Sequence, residues 1–408
     1  MKVAIVGGGS VGLSLAYELF RYGNQISIFE ASEKLGGVLR DKVTQDSIFF
    51  NGCQYLNPAA KSYRDFPRKN LLEFTHNYGS YTDIFSGEHI SHDFAGPTLS
   101  IRLNIPSVEK SRLAFTSVSE KLELYPDIIN EGLTSWLHSL GLDSKMLHKN
   151  SLEAFNAERI LLDRQIEEVR DLRLAYPYMS DLYSLPHFNF PKGKQIASIP
   201  IHGYDRYIDR EIGHSLPARV FYKSKISVKS EDRNVQLTHN GEPIVGYEKI
   251  IWTSNPNPLF RKLTSEKLDS LGLDFQVVVG YCDFNVSQPF YIQVYSKNTK
   301  VFRVYVYQLD GKSKFSIEQK FEGDRSETIQ SNMEFATDVL RRFGFFGKLH
   351  PVASFRSKRY DLFSSKDYNF LDDFSQTLKD SNIVSGYWTK YGRDLKINSI
   401  LKSLFASK

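Results

Sequence analysis

The sequence predicts an α/β protein in which a parallel-sheet nucleotide-binding half is joined to a half made of helices and antiparallel sheet. Three observations carry this. A short apolar run, Lys2 to Val6, ends directly in a glycine-rich turn followed by a helical pattern. The stretch from about 105 to 180 has helical periodicity with frequent Glu, Lys and Arg, as in LEAFNAERILLDRQIEEVRDLRLAY. Between about 275 and 320, Tyr- and Val-rich alternating runs (QVVVGYCDF, FYIQVYS, KVFRVYVYQL) read as antiparallel strands.

The first element is sharp. After the strand come Gly7-x-Gly9-x-x-Gly12, and Val11, Leu15 and Leu19 then fall on one helical face. In a Rossmann-like fold Gly7 permits the tight turn, Gly9 lets the backbone approach a pyrophosphate, and Gly12 lets helix and sheet pack closely. The Ser10 and Val11 amides at the helix start would face the phosphate. Gly23 and Asn24 end the helix, Gln25 to Phe29 read as a second strand, and Glu30 closes it 18 residues after Gly12. A carboxylate there suits a ribose and repels a 2′-phosphate. A solvated strand end is the bland alternative for Glu30.

The doublet Gly36-Gly37 follows in EASEKLGGVLRD. Glu followed by Leu-Gly-Gly resembles the signature of glutathione-reductase-type flavoproteins, in the group of amine oxidases, protoporphyrinogen oxidases and UDP-galactopyranose mutases. The resemblance implies FAD as cofactor, with Gly36 and Gly37 against the pyrophosphate and Val38 beside the isoalloxazine. DSIFFNGCQYLNP resembles the group's strand and turn that approach the flavin at Gly52. IPIHGYDRYIDREIG is similar to its Pro-x-x-Gly-Tyr segment and helix. By position the adenine contact falls to Ile226. NIVSGYWTKYGRDLKINSILKSL resembles the final strand, loop and helix, which would bring Gly386 and a helix starting near Asn398 to the flavin. The layout is most similar to the mutases and implies a discontinuous FAD-binding domain, 1–75, 196–256 and 350–408. A helical region, 76–195, and an antiparallel-sheet region, 257–349, would form the substrate side.

Several elements carry weaker signals. Residues near 70 to 95 read as a helix, then two short strands around Ser86-Gly87; Asn240-Gly241 reads as a hairpin turn. Carried over residue by residue, the mutase pattern lacks its diphosphate arginines. Tyr387 follows Gly386 where an Arg belongs, Gly52-Cys53-Gln54 lacks the His, and His187 stands where the other Arg is expected. Gln54, His202 and Tyr387 are the catalytic candidates that the resemblance places by the flavin. Arg356, Lys358 and Arg359 form a basic run that suits an anionic substrate or, more simply, a solvated face.

Composition bounds the rest. Hydrophobic residues at 41% with charged residues at 24% exclude a disordered or fibrous chain. The net charge of +5 comes from interspersed Lys and Arg, and two cysteines, Cys53 and Cys282, make neither a disulfide framework nor a cysteine metal site. No run approaches the roughly 18 apolar residues of a membrane span. The expectation is a cytoplasmic enzyme with a small polar or anionic substrate, no nucleic-acid partner, no metal, and dimerisation left open. An FAD-dependent oxidoreductase acting by hydride transfer to N5, a step that needs no acid–base pair, is the leading reading; a mutase-like isomerase and a non-catalytic flavin-binding protein are the alternatives.

Overall fold

The computed structural model describes residues 1–58, 60–75, 77–85, 87–92, 116–123, 125, 127–155, 157, 196–231, 234–264, 268, 271–322, 326–378, 382–384, 388 and 392–405. At its centre β1 (Lys2–Val6) is buried from Val3 onward, as a strand covered on both faces must be. It pairs in parallel with β2 (Gln25–Phe29) and with Lys249–Trp252, and Arg219–Phe221 and Ile383–Val384 complete a five-stranded parallel sheet. Between β1 and β2 runs α1 (Ser10–Arg21), whose Leu13, Leu15, Ala16 and Leu19 are fully buried. Gly23, at φ +73°, closes the helix by donating to the Phe20 carbonyl.

The second sheet has seven strands in the order Leu349–Leu362, Leu271–Cys282, Lys312–Lys320, Val301–Leu309, Phe290–Tyr295, Asn77–Thr82 and His89–Ser91. All neighbours are antiparallel except Phe290–Tyr295 with Asn77–Thr82. Register sets its two faces apart. Ile292, Val304, Val306 and Ile317 point to the helix Ser326–Arg342 and pack on Met333, Ala336, Val339 and Leu340. Each such side chain, fully buried, contributes about 1.5–3 kcal/mol. On the other face Tyr291, Tyr305 and Ser316 stand in one row and Gln293, Arg303 and Glu318 in the next. That face is covered by the Phe49–Gly52 segment leading out of the parallel-sheet half: Phe50 stacks 4.3 Å from Tyr307, and its carbonyl accepts the Ser316 hydroxyl at 2.8 Å.

The expected hairpin at Asn240-Gly241 is present, with both residues at positive φ between Asn234–His239 and Glu242–Pro243. The helix expected from residue 70 is instead the strand Leu71–Thr75, paired with Ile196–Pro200, and two strands, Asn77–Thr82 and His89–Ser91, do follow. Its partner lies more than a hundred residues away, so a local pattern of Leu71, Leu72 and Phe74 could not reveal it. Of the helical stretch from 105 to 180, Val118–Leu122, Asp127–Ser139 and the 3-10 turn Lys149–Phe155 are helical; His187 lies outside the described residues. Among the described residues no helix is long and apolar enough to cross a membrane.

Candidate functional site

The glycine turn stands at the carboxyl end of β1. Gly7, at φ +107°, donates its amide to the Phe29 carbonyl and so ties the turn to β2. A side chain on Gly12 would come within 2.0 Å of the Gly7 carbonyl oxygen, which is why the helix can sit so close only with glycine there. Gly9 differs: a Cβ there would meet nothing within 4 Å. Gly9 precedes α1 without any side-chain cap, and Ser10 and Val11 form the first turn, so the helix presents amides to an anion at this edge.

Glu30 lies beside this edge. One carboxylate oxygen accepts the Gly8 amide at 2.7 Å and the other accepts the Ser32 amide at 2.8 Å, and each keeps acceptor capacity for a ribose hydroxyl. Gly36 forms a bridge to Gly9 and donates to the Gly8 carbonyl at 2.8 Å. A Cβ on Gly37 would fall 3.2 Å from the Gly9 Cα. The two glycine motifs, far apart in the sequence reading, therefore form one backbone cradle. Ile226 opens the strand Ile226–Glu231, and nearby Ser224 donates its amide to the Glu30 carbonyl at 2.8 Å, which brings the expected adenine strand to the ribose acid. The donor set and the open edge over Gly9 fit a dinucleotide.

From Val38 the chain leads to the second part of the site. The Val38 carbonyl accepts both Asn51 Nδ2 at 3.2 Å and Gln54 Nε2 at 3.3 Å, clamping the Gly37 turn to the turn at Gly52, which has φ +81°. Gln54 is buried and also reaches the Asn51 carbonyl, so it braces the two turns. His202 is half-exposed, with Nδ1 3.5 Å from an Asp310 carboxylate oxygen on the turn between Val301–Leu309 and Lys312–Lys320. Gly386 and Tyr387 lie outside the described residues. Asn398 corrects an expectation: the C-terminal helix begins at Arg393, so Asn398 lies in its second turn, exposed, and accepts Lys61 Nζ at 3.0 Å. The polar Arg-Asp-Leu-Lys opening disguised the helix start, which Gly392 at φ +89° precedes. Arg356 is ion-paired with Asp274, lies over the Phe321 ring and is mostly exposed, as a solvated face would have it.

Other residues of the site carry no motif. Thr253, just beyond Lys249–Trp252, donates its hydroxyl to the Val6 and Gly7 carbonyls at 2.9 Å. Arg40 holds the Leu35 carbonyl and ion-pairs with Asp209 at 2.6 Å, fixing the doublet against the helical segment 204–215. Asp41 accepts the Asp205 amide at 2.9 Å and gives its own amide to the Asp205 carboxylate at 3.0 Å. Its second oxygen is buried without a hydrogen-bond partner. Burial, above all, pushes its pKa up to about 7, against the opposing effect of the amide bonds. On the sheet face, Glu318 accepts the Cys53 amide at 2.9 Å and pairs with Arg303 at 3.2 Å. The Tyr204 and Tyr305 hydroxyls are buried without hydrogen-bond partners, and burial holds both well above the usual phenol pKa. They stand there as neutral donors.

This geometry defines a nucleotide-binding α/β fold with a second, tyrosine-faced sheet beside it. Residues 5–80 match the family model of the NAD(P)-binding Rossmann-like domain. Among solved structures, reduced UDP-galactopyranose mutase is similar at a TM-score of 0.65 and 14% identity, covering 99% of this chain and 95% of that one. A protein of Exiguobacterium sp. 255-15 designated a protoporphyrinogen oxidase is similar at 0.59 and 14%, covering 100% and 98%. Putrescine oxidase bound to putrescine is similar at 0.57 and 15%, covering 100% and 99%. No curated protein sequence matches. At such identities the likeness is one of fold: the chain shares the fold of these three structures.

Proposed function

We propose that the protein is an FAD-dependent oxidoreductase acting on a small polar or anionic substrate, such as a sugar or sugar nucleotide. The observation that carries the reading is the joint cradle of Gly9, Gly36 and Gly37 with Glu30 at its side. In this reading the Ser10 and Val11 amides bind the pyrophosphate, Glu30 the ribose, and the start of Ile226–Glu231 the adenine. Gly52 and Val38 line the path toward the sheet. FAD, when bound, supplies a hydride acceptor at N5. The chain's own contribution is positioning and exclusion of water: the buried Tyr305 and Tyr307 row dries the far side, and the neutral Tyr204 and Tyr305 hydroxyls offer donors without a charge.

The visible spectrum of purified protein, followed by anaerobic reduction with NAD(P)H and then with a panel of sugar nucleotides and amines, tests this. Flavin bands and bleaching by one substrate class are expected. A colourless protein that takes up no FAD would sink the reading. A second reading, a mutase-like isomerase, is favoured by the fold likeness to reduced UDP-galactopyranose mutase across 99% of the chain. It requires a reductant for turnover without consuming it stoichiometrically, so counting reductant per product separates the two.

A further inference from the structure

The basic run at Arg356 lies on the surface, whereas another cation is only partly exposed. Arg393 opens the C-terminal helix Arg393–Phe405, and its guanidinium lies 5.3 Å from the centroid of the Tyr63 ring. Among the described residues that ring is its contact partner, and no hydrogen bond or ion pair joins it to a carboxylate. The adjacent acid is directed elsewhere: Asp394 accepts the Lys61 amide at 3.1 Å and the Ser62 amide at 2.9 Å. Residues 385–391, SGYWTKY, contain no Asp or Glu.

Next to the guanidinium the Tyr63 side chain, 4% exposed, has a buried hydroxyl with no hydrogen-bond partner. Tyr55, three residues after Gly52, is an electrostatic neighbour of Arg393, and its hydroxyl lies 3.0 Å from that of Tyr78 on the polar side of the seven-stranded sheet. Burial pushes the Arg393 pKa down to about 10. Asp394 is a charge neighbour of Arg393 but makes no bond to it, so the guanidinium, partly withdrawn from water, keeps its planar fork for an oxyanion with two parallel hydrogen bonds. The amino end of a 13-residue helix adds positive potential at the same place.

We propose that Arg393, with Tyr63 beside it, anchors an oxyanion of the substrate, a carboxylate or a phosphate. The inference rests on the reading of the Gly52–Tyr55 side as the substrate side of a flavin site. It also supplies, from a different position, the positive charge that the absent mutase arginines leave unaccounted for.

The experiment titrates FAD-loaded protein with inorganic phosphate and, separately, with acetate, at ionic strength held constant with sodium chloride, reading melting temperature and tryptophan fluorescence. One anion is expected to bind saturably, and which one does so names the group. Arg393→Gln should weaken that binding about tenfold or more, with Arg393→Lys between the two because it keeps charge but not the fork. Without anion, Arg393→Gln should melt close to the wild-type temperature, since no bonded counter-ion is lost; a marked drop would assign Arg393 to structure and overturn the proposal. So would a response to both anions no different from chloride, equal binding by Arg393→Gln, or binding that FAD abolishes, which would give Arg393 to the cofactor. Failure of the flavin reading is distinguishable, because it shows as a colourless protein, on which the same titration still reads Arg393.

Discussion

The glycine cradle and the tyrosine face of the second sheet are neighbours built in opposite ways. The cradle is made of backbone from within 37 residues of the amino terminus, and its one charged side chain, Glu30, is held by two amides. The tyrosine face is made of side chains drawn from residues 49–55, 78 and 291–318, joined by long-range contacts such as Cys53 to Glu318 and Phe50 to Tyr307. Backbone built around glycines tolerates loss of binding without loss of fold where the glycine faces open space. Buried polar side chains tolerate nothing that leaves a partner alone.

The largest effect is expected on the tyrosine face. Glu318→Gln leaves Arg303 without its carboxylate in a buried place and should destabilise the protein by about 3–5 kcal/mol, read by chemical denaturation. An unchanged midpoint would break the contrast. In the cradle, Gly12→Ala should cost about 3 kcal/mol through collision with the Gly7 carbonyl, although alanine ordinarily favours a helix. Gly9→Ala should leave the denaturation midpoint within about 1 kcal/mol while weakening FAD uptake, because its Cβ points into open space. If both variants lose stability alike, Gly9 is structural too.

Asp41, at the junction of the two regions, gives a pH test. Its folded pKa of about 7 lies above the unbound value of 3.8, so between these values the folded state holds more protons than the unfolded one. Stability contributed by the protonated carboxyl is present below pH 4 and is lost as pH rises through 7. Relative to Asp41→Asn, the wild type should therefore lose about 4 kcal/mol between pH 4 and 8. Melting curves of both proteins across that range check it, and parallel curves would contradict the shift. A small effect is expected for Glu30→Gln: about 1 kcal/mol of stability from one weakened amide contact, with a measurable fall in FAD affinity by spectral titration.

Legibility followed the range of the interactions. Gly7, Gly9, Gly12 and Glu30 were readable because turn, helix and strand are adjacent in the chain and their spacing is fixed by backbone geometry. Arg303, Lys314 and Glu318 were not: at alternate positions of a strand they look like a solvated face, and only the Phe49–Gly52 segment lying over them makes that face an interior. Gln54 stood out only by its place after Gly52; its bonds to the Val38 and Asn51 carbonyls, which tie two turns together, were not readable from the sequence.

By itself, then, the sequence determined the parallel sheet, the glycine cradle and the carboxylate of Glu30 at its edge, since each depends on φ, side-chain size and period within a few tens of residues. The tertiary structure decided that Leu71–Thr75 is a strand, that the last helix begins at Arg393, and which charges are buried. Those outcomes depend on partners hundreds of residues away, whose hydrogen bonds and exclusion of water no local pattern encodes.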